Sequence, residues 1–281
     1  MDKEEVLKKL EERLAKGEIS EKTYLGIKAR YDNVPERKET AAKDGVNGFT
    51  FDIPSVDVPP IHIEIPGVIQ SGSKLVVTGS GHVDGDVKNE SCRIAGACTI
   101  EGSVETDEWK SAGSAKIKGS LKADMFKSAG SAVIGGDVHA DDFVCAGRCS
   151  VGGGIDSGRV KFGGNLESKN TIKCDRFEGV GKVSAPAIAA DSITIETEGR
   201  SDVREISGDS IEVRSVGRVF SQGELYSDRI RGERIYLENT TCKLVSGDDV
   251  VIGPNCEIET VEFRSNLKIH LSAKVKKKVR K

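Results

Sequence analysis

Proline all but leaves this chain after residue 66: five of its seven prolines fall at positions 35, 54, 59, 60 and 66. Proline cannot donate to a sheet ladder, so the long remainder is free to pair strands without interruption. Aromatic residues are also scarce, at 5%, and only 37% of residues are hydrophobic. That composition disfavours a broad core and suits a narrow, elongated one. No apolar run approaches the ~18 residues that a membrane-spanning helix needs. The opening Met-Asp-Lys-Glu-Glu lacks the apolar stretch and cleavage site of a secretory signal, so a cytoplasmic protein is expected. A net charge of -3 and a pI near 5.9 give no bulk attraction to nucleic acid, and none is expected as a partner.

The usual marks of chemistry are missing too. Seven cysteines include no Cys-x-x-Cys pair, and His62, His82, His139 and His270 share no repeat position, so zinc-ligand spacings are absent. There is no P-loop, nucleophile elbow or dinucleotide fingerprint; the glycines around Gly79-Ser-Gly-His-Val-Asp-Gly85 are spaced one residue too widely for the last. The expectation is a protein that is not an enzyme, with no catalytic residue, cofactor, metal or small-molecule substrate.

What the chain has in abundance is glycine, 32 residues of it, and between residues 79 and 181 the glycines keep step. One series runs Gly79, Gly96, Gly113, Gly130, Gly147, Gly164, Gly181, and a second runs Gly85, Gly102, Gly119, Gly136, Gly153, both at a period of 17. Apolar columns lie between them: Val83, Ile100, Ile117, Ile134, Val151; then Val87, Val104, Leu121, Val138, Ile155, Ile172. Cys92, Trp109, Phe126, Phe143, Val160 and Phe177 form a third, which reads as an interior stack. Cys98 and Cys149 share the column of Ala115 and Ala132, and Cys145 that of Ser111 and Ser128, so cysteine serves here as a small hydrophobe. Repeats of this length mean a solenoid, because one unit cannot bury its own apolar face.

Within a unit, inward positions fall in pairs at 109 and 111, 115 and 117, 121 and 123. Alternation within each pair is the strand signal, and Gly113 and Gly119 between the pairs suit corners with positive φ. Asp107, Asp124, Asp141 and Asp175 mark the third corner, with Gly158 as the exception. Acids recurring at one corner read as turn residues bonding their own backbone or facing solvent, not as opposed catalytic carboxylates. The fold expected is all-β: a three-sided parallel β-helix of about twelve coils stacked ~4.8 Å apart.

The remainder reads as additions to that stack. Val6, Leu7, Leu10 and Leu14 sit at helical spacing, Gly17 stops the helix, and Ser20 caps a second one reaching Tyr31, so residues 1–31 form a helical hairpin. Residues 32–48 are a polar linker and 49–67 a proline-rich extended lead-in or cap; the β-helix spans 68–272 and a basic tail 273–281. After Gly181 the period loosens to steps of 18 and 24, as Ile188, Ile206 and Ile230 show. Phe263, Leu267, Ile269 and Leu271 are the expected assembly interface. The tail, Lys274, Lys276, Lys277, Lys278, Arg280 and Lys281, is the expected contact with an anionic membrane surface.

Two resemblances follow from these strings. The hairpin, LKKLEERLAKGEISEKTYLGIKARY, is similar to the short helical oligomerisation (SHOCT) modules, through Leu10, Leu14, Gly17, Ile19, Tyr24 and Lys28. The units CRIAGACTIEGSVETDE, WKSAGSAKIKGSLKADM and FKSAGSAVIGGDVHADD resemble the bactofilins, polymer-forming cytoskeletal proteins. That resemblance implies a right-handed β-helix that joins end to end into filaments without nucleotide and acts as a scaffold, with itself as partner. Two other readings stay open: a monomeric or oligomeric membrane-associated adaptor with a capped β-helix, and an acyltransferase-like left-handed helix or carbohydrate-acting protein.

Overall fold

The computed structural model describes residues 68–71, 73–215 and 223–281. The chain divides into two compact units, 1–57 and 58–281, and all described residues belong to the second. The expected helical hairpin (1–31), linker (32–48) and lead-in (49–67) lie outside the described residues.

The described residues form a parallel β-solenoid of about twelve turns, all-β as the repeat predicts. A short amino-terminal strand, β1 (Val68–Ser71), pairs antiparallel with β2 (Lys74–Val83), Val68 opposite Val77. Then β3 (Val87–Ile100), β4 (Val104–Ile117), β5 (Leu121–Ile134), β6 (Val138–Val151) and β7 (Ile155–Ser168) each make one coil and stack in parallel register. Each residue meets its counterpart 17 positions on, Trp109 opposite Phe126 and Ile117 opposite Ile134. The stack continues through β8 (Ile172–Thr197), β9 (Arg200–Ser207), β10 (Ser210–Ser215), β11 (Glu224–Arg231), β12 (Arg234–Leu237), β13 (Thr240–Ile252), β14 (Glu257–Ile269) and β15 (Lys274–Arg280).

All six inward positions of one coil, Trp109, Ser111, Ala115, Ile117, Leu121 and Ala123, are buried. In-register stacking puts like on like, so Trp109, Phe126 and Phe143 form an internal column with ring centroids 6.3 and 4.8 Å apart. Each such pair contributes about 1 kcal/mol beyond its buried area. Register also offers a partner to buried polar groups: the Ser111 hydroxyl donates to Ser128 Oγ at 2.9 Å. Among the described residues the Trp109 indole N–H and the Ser215 hydroxyl are the exceptions, buried without a partner.

The two glycine columns meet different demands. Gly113 has φ of +119°, as the corner predicts, and a Cβ there would lie 2.2 Å from the Gly96 carbonyl oxygen. Gly119 has no positive φ, contrary to the expectation; its demand is space, since a Cβ would meet Ser103 Oγ at 2.4 Å. At the third corner the structure selects the solvent-facing of the two readings. The carboxylates of Asp107, Asp124 and Asp141 are exposed and make no hydrogen bond among the described residues. The corner is bonded by the residue before the column position, Thr106 Oγ1 donating to the Glu108 carbonyl at 3.2 Å and Ser157 Oγ, before Gly158, to that of Arg159 at 2.9 Å. At the second corner acids do bond backbone. There Asp86 accepts from the Ser103 N–H (2.6 Å), Ser103 Oγ from Ser120, Ser120 Oγ from Asp137, and Asp137 from Gly154 (2.8 Å), a ladder with one rung per coil.

Beyond Gly181 the coils change length while their sides keep register. Ile188, Ile206, Ile230, Val245 and Val261 pair in succession, giving steps of 18, 24, 15 and 16. The first two steps are those read from the sequence. The extra length of the long coil falls at the first corner, between Val213 and Leu225. The second corner still has three residues between Ser168 and Ile172, where Asn170 follows Gly153 in the glycine series, and shortens to two in later coils, as between Val203 and Ile206. The first corner keeps its positive φ with Gly199 (79°), Asn239 (44°) and Asn255 (57°), asparagine being the next most tolerant residue there.

Candidate functional site: the last coil

The basic run expected as a tail is a strand. Residues Lys274–Arg280 form β15, parallel to β14, with Glu257 opposite Lys274, Val261 opposite Lys278 and Phe263 opposite Arg280. Alternation carries it there, because Val275 falls on the column of Cys242 and Ile258 and packs against the core. Among the described residues β14 is its one neighbour, leaving the outer backbone edge of β15 unpaired.

The structure brings the expected interface residues to this end, in different states. Leu267 and Ile269 prolong the columns of Val250 and Ile252, and both are half-buried against the core. Leu271, in the turn that follows, is fully exposed. Phe263 lies one coil further in, half-buried, with backbone neighbours Gly247 and Arg280 on its two sides.

Charge is layered in the same region. The stretch 248–264 holds five acidic residues and one basic, whereas 265–281 holds seven basic and no acidic. Three cations reach back across the step: Lys274 to Glu257 at 2.8 Å, Lys276 to Glu259 at 3.5 Å and Lys281 to Glu262 at 2.6 Å. The hydrogen bond from Lys274 holds the Glu257 carboxyl below the usual carboxylate range, and that from Lys281 does the same for Glu262. Lys268, Lys277, Lys278 and Arg280 have no acidic partner among the described residues. The acidic third-corner column runs on through Asp191, Asp209, Glu233 and Asp248, and changes sign at Arg264, which pairs with Asp248 at 3.5 Å.

A groove of about 560 Å³ lies along the face beside this coil, between Asp202, Tyr226, Asp228, Lys243, Glu259 and Lys276. Arg200 stacks over the Tyr226 ring at 4.2 Å, Tyr226 Oη donates to Glu224 at 2.7 Å, and Lys243 pairs with Asp228 at 2.6 Å. Sequence reasoning missed this groove, because its residues come from coils of 24, 15 and 16 residues, where counting by a fixed period fails. The arginine–tyrosine alternation, repeated as Arg214 over Tyr236 at 5.7 Å, was the available signal.

The other residues singled out by type are dispersed along the stack. Six cysteines are buried, Cys174 is half-buried, and all seven are free thiols. Burial pushes Cys92, Cys98, Cys242 and Cys256 up to about 11, and Cys174 up to about 12. Among the described residues, no three His, Cys, Asp or Glu side chains converge as a metal site, and no helix is long and apolar enough to cross a membrane.

Two relatives from Bacillus subtilis share part of the chain. Uncharacterized protein YhbF is 39% identical over 82 residues, 28% of this chain and 35% of YhbF. Uncharacterized protein YhbE is 37% identical over 93 residues, 31% of this chain and 39% of YhbE. The chain thus spans between a third and two fifths of the length of these curated relatives. No family model and no solved structure matches it.

Proposed function

We propose that the protein is a non-catalytic scaffold that self-assembles end to end through its β-solenoid, without nucleotide, as the resemblance to bactofilins implies. The observation that carries this reading is the unfinished stack at the last coil. Leu267, Ile269 and Val275 are half-buried where their columns are buried one coil earlier, and Leu271 is fully exposed beside them. A solenoid coil completes its core only when another layer covers it, so a stack end of this kind favours association. Layering by strand pairing needs no nucleotide, since backbone bonds and apolar columns supply the contact.

Sedimentation velocity of the full chain beside Leu271→Arg tests the reading. The exposed position of Leu271 makes the substitution harmless to folding, so the expected result is concentration-dependent association in the parent and loss of large species in the variant. A single monomeric boundary for the parent at every concentration overturns the proposal.

A further inference from the structure

We propose that the outer edge of β15 is a docking site for an acidic extended strand, and that it rejects the like end of a second copy. The proposal stands on the charge and register of β15; it confines any end-to-end joining at this end to the uncovered side that carries Leu267, Ile269 and Leu271, and to an unlike end of the next copy.

Two cations occupy inward columns. Lys278 takes the place held one coil at a time by Ile188, Ile206, Ile230, Val245 and Val261, all of them buried. Arg280 takes that of Phe263. An apolar layer placed over β15 therefore traps an ammonium and a guanidinium without counter-charges, which is unfavourable in a low-dielectric stack. Inward-pointing lysines are among the devices by which natural sheets stop edge-to-edge growth. Joining two like ends is worse still, because each contributes seven basic residues and no acid.

The chain itself shows what the strand accepts. Its inner edge is covered by Glu257-Ile258-Glu259-Thr260-Val261-Glu262-Phe263, where Glu257 faces Lys274 in register, Glu259 pairs with Lys276, and Glu262, opposite Val279, is reached by Lys281 from two residues along. Among the described residues Lys277, Lys278 and Arg280 remain for a second acidic strand, and the outer edge offers unpaired backbone donors and acceptors. β-Augmentation by an acidic segment of another protein satisfies both the charges and the backbone, whereas a lipid surface satisfies the charges alone.

The test is fluorescence anisotropy of the full chain with a labelled peptide Glu-Ile-Glu-Thr-Val-Glu-Phe. It is run beside a charge-reversed peptide with lysine for each glutamate, and an analogue with proline at the central threonine that cannot complete the strand. Saturable binding of the acidic peptide is expected, with none for the reversed peptide and at least tenfold weaker binding of the proline analogue. Lys278→Glu/Arg280→Glu, checked for its β circular dichroism, should lose the peptide. Equal binding of the acidic and proline peptides, unchanged binding by a folded double variant, or capture by phosphatidylglycerol vesicles without peptide binding overturns the proposal.

Discussion

At the scale of single residues, the stack is sensitive where coils touch and tolerant elsewhere, and glycine shows both. Gly113→Ala places a Cβ against the Gly96 carbonyl at a φ of +119°, so a loss of about 2–5 kcal/mol is expected in urea unfolding. Gly163→Ala meets nothing within 4 Å, and its unfolding free energy should stay within about 0.5 kcal/mol of the parent. Equal effects at the two positions would contradict the coil geometry. Both glycines look alike in the sequence, but only Gly113 stands in the 17-residue series, so periodicity carried the information and residue type did not. Periodicity also separated the inward pairs from the rest, but it could not say that Gly119 answers to space and Gly113 to φ, since both demands select glycine.

The buried thiols give a second residue-level expectation. Burial raises Cys92, Cys98, Cys242 and Cys256 to about 11 from an ordinary 9.0, so the folded chain keeps protons that an unfolded chain releases. Their contribution is complete below pH 9 and is lost as pH rises toward 11. The urea midpoint should therefore fall between pH 8.5 and 10.5, and it should fall less in a Cys92→Ala/Cys98→Ala variant. At pH 8 a thiol reagent should leave the six buried cysteines unlabelled until denaturant is added.

At the scale of elements, β15 is the strand that the sequence read as a tail. Six basic residues within eight positions look like a solvated end, and Val275 and Val279 are too few to signal a strand by alternation alone. The partner strand supplies the missing signal, because Glu257, Glu259 and Glu262 come within ion-pair reach of Lys274, Lys276 and Lys281 once the coils are stacked. The attachment of β15 should follow these carboxylates. Glu257 and Glu262 titrate below their ordinary range, so their contribution is present above about pH 4.5 and is lost as pH falls through the folded value. At pH 3, amide exchange in β15, corrected for intrinsic rate, should quicken relative to β4 through β6. Uniform protection across all of them would separate the strand's stability from its ion pairs. The pairs are exposed, so the effect should be confined to this strand and small in global stability.

At the scale of the molecule, sides keep register while corners vary. Extra residues fall at the first corner, between Val213 and Leu225, and the apolar columns pass that coil without a break. That rule explains why the regular half could be read by counting and the second half only in part: a loop at a corner shifts numbering without shifting packing. It also leaves the stack open to growth by layers, which is the basis of the proposed scaffold role. Negative-stain electron microscopy of the purified full chain at micromolar concentration, in low and high salt without nucleotide, tests that role most directly. Elongated assemblies built by end-to-end joining are the predicted result, whereas a field of single particles under every condition would contradict it.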